Sequence, residues 1–167
     1  MANTYSQIYI QVVFAVEWRQ ALIRTENREE LHKYITGIVT NKDQKMIGIN
    51  SRPDHIHMLL GMQPDLALSD LVRDVKRSST VFISDSRWVK GRFNWQAGFG
   101  AFSYSRSALD GVIRYIQDQD RHHSKKSFKA EYLALLQKFA IVYDPKYVFD
   151  FADDEEESNG VPRGWGG

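Results

Sequence analysis

Lys45-Met46-Ile47-Gly48-Ile49-Asn50-Ser51-Arg52-Pro53-Asp54-His55-Ile56-His57-Met58-Leu59-Leu60-Gly61-Met62 is the stretch on which the fold turns. Lys45 to Asn50 and His55 to Met62 read as two short strands. Ser51-Arg52-Pro53-Asp54 between them has turn composition: proline presets φ, and Ser and Asp bond their own backbone. A hairpin of this kind needs partners for its outer edges, and the flanking sequence supplies them.

Upstream, Tyr5 to Phe14 is rich in β-branched and aromatic residues and reads as a strand. Asn27 offers an N-cap with Glu30 three residues on, and Leu31, Tyr34, Ile35, Ile38 and Val39 recur at helical spacing. Downstream, Ser69 is placed to cap a second helix with apolar positions Leu71, Val72, Val75, Phe82 and Ile83. Phe93 to Tyr104 reads as a fourth strand, punctuated by Gly98 and Gly100. Ser107 with Asp110 opens a third helix running to about His122, and Phe128 to Phe139 is a fourth. The order is β-α-β-β-α-β with extra C-terminal helices. That predicts an α+β fold, a ferredoxin-like (RRM-like) antiparallel sheet with helices on one face. Residues 1–150 form the expected single domain. Residues 151–167, acidic at Asp153 to Glu157 and then Gly-rich, are expected to be a disordered tail.

The 167 residues carry a formal net charge of only +1, so bulk charge does not point to nucleic acid. The acidic tail conceals a basic remainder. There is no cysteine, which excludes thiolate metal sites and disulfides and fits a cytoplasmic setting. No signal peptide, membrane span or phosphate-binding glycine loop is read, so neither a membrane nor a nucleotide cofactor is expected.

Two features carry chemistry. In His55-Ile56-His57, residues i and i+2 of a strand share a face, while Ile56, Met58, Leu60 and Met62 form the opposite, apolar one. Two neutral imidazoles at that spacing can share a cation. With five histidines in the chain, chance yields a His-x-His roughly 0.15 times, so spacing by itself does not separate a metal site from two core histidines. The second feature is Tyr115-Ile116-Gln117-Asp118-Gln119. Leu109, Val112, Ile113 and Ile116 make the buried stripe of that helix, which leaves Tyr115 off the stripe and exposed. Gln119 lies one turn later on the same side, with His122 near the same line.

Together, the histidine pair on a strand and a tyrosine with a glutamine four residues on resemble the single-tyrosine HUH transposases of small bacterial insertion sequences. Trp95-Gln96-Ala97-Gly98-Phe99-Gly100-Ala101-Phe102-Ser103 looks like that family's strand before the tyrosine helix. Tyr115 to Gln119, His122-His123 and Lys125-Lys126-Ser127-Phe128 look like its C-terminal signature. The resemblance runs from about Tyr5 to Asp150. Gln11 to Arg19 departs from it, since the family usually has a histidine and a more basic segment there.

The resemblance implies a metal-dependent enzyme that cleaves and rejoins single-stranded DNA at insertion-sequence ends. Tyr115 would be the nucleophile, forming a 5′-phosphotyrosine, with His55, His57 and Gln119 as ligands of Mg2+ or Mn2+. Imidazole is not magnesium's preferred ligand, so the residues alone leave manganese or zinc open. The implied partners are single-stranded DNA, folded as hairpins at element ends, and a second copy of the chain. In that homodimer the tyrosine helix of one copy would serve the histidines of the other, with Gly98, Gly100 and the polar Asp120 to Ser127 as adaptable links. For DNA contacts the candidates are Arg73, Lys76 and Arg77 on the second helix and Arg87, Lys90 and Arg92 after it. Trp88, Phe93 and Trp95 are candidate stacking platforms or, more simply, core. The competing readings are a non-catalytic ferredoxin-like module that binds single-stranded nucleic acid, and another HUH nicking enzyme such as a relaxase or replication initiator.

Overall fold

In the computed structural model, residues 3–120 and 127–148 are described. The tail at 151–167 and the interior of the Asp120 to Ser127 link lie outside them. The elements run β1 (Tyr9–Ala15), α1 (Thr25–Asn41), β2 (Lys45–Arg52), β3 (His55–Gly61), α2 (Leu68–Asp85), β4 (Gly100–Tyr104), α3 (Leu109–Gln117), α4 (Phe128–Lys138) and a short α5 (Pro145–Val148). The four strands form one sheet in the order β2-β3-β1-β4, with every neighbour antiparallel. This is the α+β, ferredoxin-like arrangement expected.

The helices occupy both faces of the sheet, not one. On the first face, Leu31, Ile35 and Val39 of α1 and Leu71, Val72, Val75 and Ile83 of α2 pack on Val12, Phe14, Ile56, Met58 and Leu60. On the second, α4 places Phe128, Leu135 and Leu136 against Val13, Ala15 and Phe102. There α3 sets Val112 and Ile116 on Leu59. The reason is visible in β3, where all six residues from His55 to Leu60 are buried. A strand buried on both faces, the two imidazoles and Leu59 on one and Ile56, Met58 and Leu60 on the other, has cover on both. Packing dense enough to bury the histidines follows from this second helical layer.

Five boundaries differ most from expectation. β1 begins at Tyr9 rather than Tyr5, which is exposed. α1 and α2 start ahead of Asn27 and Ser69, and neither N-cap residue, Arg24 or Ala67, closes a side-chain hydrogen bond. The run from Phe93 is not continuous strand. It makes one isolated bridge just past β1, Val16 to Trp95, and then turns through Gly98 at φ +82° before entering the sheet as β4. α3 stops at Gln117 instead of near His122. Asp118 leaves the helical region, and the Asn50 amide donates to the last carbonyls, Ile116 O at 2.8 Å and Gln117 O at 3.2 Å.

Candidate active site

β3 delivers the two imidazoles. His55 lies opposite Ala15 and His57 opposite Val13, so both point to the face covered by α3 and α4. Neither ring has any exposed surface. The His55 ring stacks on Phe128 of α4 at 3.9 Å between centroids and 14° between planes. Its Nδ1 meets Asp54 Oδ1 at 2.6 Å. Burial pulls the His55 pKa down to about 4, against the opposing pull of that hydrogen bond. At neutral pH the ring is therefore neutral, the form that ligates metals. Burial pushes Asp54 up, but its bond to His55 and the charges of His55 and Arg19 outweigh that and hold its carboxyl below the ordinary range.

A second chain of polar groups fixes His57. The Tyr104 hydroxyl donates to Gln11 Oε1 at 2.8 Å, and Gln11 Nε2 lies 2.9 Å from His57 Nδ1. In this amide orientation His57 carries its proton on Nε2, which faces Glu131 Oε1 at 2.7 Å. Turning the Gln11 amide over would place the proton on Nδ1 and leave Nε2 as an acceptor. The Tyr104 hydroxyl can serve either orientation, because a phenol both donates and accepts. Polar partners of this kind set the tautomer and aim the ring of a metal-ligating histidine.

Glu131 was not anticipated. It is 4% exposed. Its carboxylate oxygen and a ring nitrogen from each of His55 and His57 lie within 4.8 Å of one another. A carboxylate buried to that degree needs charge or hydrogen-bond partners, and it finds His57 and the Tyr115 hydroxyl. One sign was available in the sequence. Phe128, Glu131, Tyr132 and Leu135 share one helical face by spacing, so Glu131 is an acid in an apolar stripe. Gln11, a polar residue among Tyr9, Val13 and Ala15, gave the same kind of sign in β1. Asp54 had been read only as turn.

Tyr115 is half-buried rather than exposed. Its ring lies 6.0 Å from that of His57 at 84°. Burial, then the charge of Glu131 and the hydrogen bond to it, push its hydroxyl above the ordinary range, while a bond from Gln119 pulls the other way. Gln119 is fully buried beside it, with Nε2 donating to Tyr115 O at 3.1 Å. The expected pairing of Tyr115 and Gln119 is thus present, although the helix between them is interrupted. A cleft of about 880 Å³ opens between α3 and α4, lined by Tyr104, Val112, Tyr115, Glu131, Leu135 and Lys138, among others.

Within this chain the end of the tyrosine helix is pinned from two sides. Asn50 holds the end of α3, and Asp120 just beyond it pairs with Arg28 (3.2 Å) and with Arg52. The exchange of tyrosine helices between copies, expected from the resemblance, concerns the dimer and not this single chain. Nor are Gly98 and Gly100 simply adaptable. Gly98 takes a left-handed turn, and Gly100 makes room for Tyr132 of α4.

The proposed DNA-contacting residues separate. Arg77, Arg87, Lys90 and Arg92 are exposed. Arg73 is exposed but paired with Asp70 (3.2 Å) and Asp74 (3.1 Å). Lys76 is turned inward, donating to Gln96 O at 2.8 Å and Gly98 O at 2.5 Å, with burial pulling its pKa down to about 8. It holds the loop before β4. Phe93 and Trp95 are core, Trp95 Nε1 donating to Ser79 Oγ at 2.9 Å. Trp88 packs edge-on against Phe82.

Residues 4–119 match the family model described as transposase, IS200-like. Among curated proteins, the ISDra2 transposase TnpA of Deinococcus radiodurans is 22% identical over 120 residues, which cover 68% of this chain and 84% of that one. Two solved structures share the fold. One, a candidate transposase from Deinococcus radiodurans R1, has a TM-score of 0.55 at 20% identity, over 70% of this chain and 94% of that one. The other, a REP-associated tyrosine transposase bound to a REP hairpin, has a TM-score of 0.53 at 16% identity, over 99% of this chain and 89% of that one.

Proposed function

The chain belongs to the IS200-like transposase family, and we propose that it cleaves and rejoins single-stranded DNA at insertion-sequence ends with Tyr115 as nucleophile. The observation that carries this reading is the placing of Tyr115 beside His57, with Glu131 in contact with both. In the proposed reaction the Tyr115 oxygen attacks a phosphorus and the bond to the 3′ oxygen breaks. The products are a 5′-phosphotyrosine and a 3′-OH that takes up a proton. Attack by another 3′-OH reverses the step and seals the new junction, so no nucleotide is consumed.

Burial keeps Tyr115 a neutral phenol until substrate is in place, and Glu131, to which it already donates, is the acceptor at hand for its proton. The donor set suits a hard or borderline divalent cation, since it combines two imidazoles with the two carboxylate oxygens of Glu131; the Gln119 amide lies beside Tyr115. His55, His57 and one of those oxygens would hold Mg2+ or Mn2+, which polarises the scissile phosphate and screens its charge when bound. Asp54 and the Gln11–Tyr104 pair aim the two imidazoles.

For DNA contacts we propose exposed Arg77, Arg87, Lys90 and Arg92, and the cleft between α3 and α4 as the path of the strand to Tyr115. A hairpin partner is supported by the related fold that holds one. Two such sites in a homodimer would manage two DNA ends. No helix among the described residues is long and apolar enough to cross a membrane, and we place the reaction in the cytoplasm.

The test is incubation with single-stranded DNA from the ends of the chain's own element, with Mg2+ or Mn2+, on a denaturing gel. The native protein should give a cut strand and a covalent adduct. Tyr115→Phe should give neither while still binding the hairpin. Cleavage by the Phe variant would show another nucleophile at work.

A further inference from the structure

We infer that Glu131, carried on α4 and not on the tyrosine helix, is the oxygen ligand that completes the cation site of His55 and His57. The inference rests on the metal-dependent reading of the site above. His55, His57 and Glu131 are all buried, and their ligand atoms fall within 4.8 Å of one another. Donors about one Mg2+ or Mn2+ sit at about 2.1 Å from it, so opposed donors are roughly 4.2 Å apart. At most about 0.6 Å (4.8 less 4.2) therefore has to close for the cluster to hold the ion.

Charge favours the carboxylate over the amide. Two neutral imidazoles and an amide leave a buried divalent ion with its full charge. Replacing the amide by a carboxylate removes one unit of it, where uncompensated charge is most costly. The present contacts fit the same role. His57 Nε2 and Glu131 Oε1 stand 2.7 Å apart and both are buried, so each keeps a ligand atom available to a cation. Asp54, the other acid beside the pair, is engaged at His55 Nδ1 and orients that ring from behind. Gln119 already has its amide on Tyr115. A carboxylate has two oxygens, so ligation through one leaves the other to accept from the Tyr115 hydroxyl. Phe128, one turn before Glu131, stacks on His55, so the contact that docks α4 also delivers the ligand.

The experiment titrates the purified full chain with Mn2+, following the free ion by electron paramagnetic resonance, and records melting temperature with and without the metal. Glu131→Gln keeps shape and hydrogen bonding but should weaken Mn2+ at least tenfold and abolish the metal-induced rise in melting temperature. Glu131→Asp, one methylene short, should keep part of the affinity and guards against a Gln variant that does not fold. Gln119→Ala should change affinity less than threefold. Native-like Mn2+ binding by a folded Glu131→Gln, or a larger loss in Gln119→Ala, overturns the assignment. The two readings fail differently. If the native chain neither takes up Mn2+ nor cleaves DNA, the functional reading is at fault. If it does both and Glu131→Gln binds equally well, only the assignment of Glu131 is.

Discussion

Replacing Gly100 with alanine tests whether α4 is pressed so closely on the sheet that the site depends on it. A Cβ at Gly100 would lie 2.7 Å from both Cε2 and the hydroxyl of Tyr132, and 3.1 Å from Phe102 Cε2. Ordinary contact begins at 3.4 Å, so 3.4 less 2.7 leaves 0.7 Å to be found at two atoms of one ring. The backbone at Gly100 is not left-handed, so alanine itself is not strained there. Two effects oppose each other. Loss of glycine's freedom in the unfolded chain stabilises by about 0.4–1 kcal/mol. Overpacking costs about 1–3 kcal/mol.

Overpacking should win by about 1–2 kcal/mol, which for a chain of this size lowers the melting temperature by roughly 2–8 °C. Because Tyr132 adjoins Glu131, the same displacement should move Glu131 off His57. Misplacement by about 1 Å can cost roughly 100-fold in rate, so cleavage should fall further than stability accounts for. The assay is a double-mutant cycle with Tyr132→Ala, read by thermal melts and strand cleavage. A coupling of at least about 1 kcal/mol is expected, because shortening Tyr132 makes room for the methyl. Additivity within about 0.5 kcal/mol, or a higher melting temperature in Gly100→Ala, would refute the close approach.

Lys76→Met should lower the melting temperature, because it removes the bonds to Gln96 O and Gly98 O. It should change hairpin affinity less than twofold, whereas Arg77→Ala should weaken binding with little effect on melting; fluorescence anisotropy separates the two. His32 is held down to about 4 from 6.5, chiefly by burial and then by Arg28. The unfolded chain therefore binds this proton first, and stability should fall as pH drops from 6.5 towards 4 and be flat above. Urea melts across that window should show a shallower fall in His32→Gln; an unchanged slope would assign the effect elsewhere. Asp120→Asn should cost no more than about 1 kcal/mol, as its ion pairs with Arg28 and Arg52 are largely exposed. It should nevertheless slow cleavage by loosening the segment after Tyr115, and native rates in a single-turnover assay would count against the clamp.

Periodicity alone was enough to establish the order of strands and helices and the sharing of one face by His55 and His57, because both follow from backbone repeats over a few residues. Local composition likewise marked Tyr115 and Gln119 as one turn apart, and they remain neighbours despite the break at Asp118. The tertiary structure decided the surroundings. Tyr115 was read as exposed from the pattern of its own helix, but burial depends on what lies opposite, and α4 closes over that side. Lys76 looked like a surface cation for the same reason, since the loop carbonyls that turn it inward belong to Gln96 and Gly98, far from α2 in helical spacing. Glu131 shows the limit most clearly. Its place in an apolar stripe was legible, but its partner His57 is 74 positions earlier in the chain (131 less 57). No local rule connects residues so far apart. Only the docking of α4 through Phe128, Leu135 and Leu136 onto the open face of the sheet brings the carboxylate to the imidazoles.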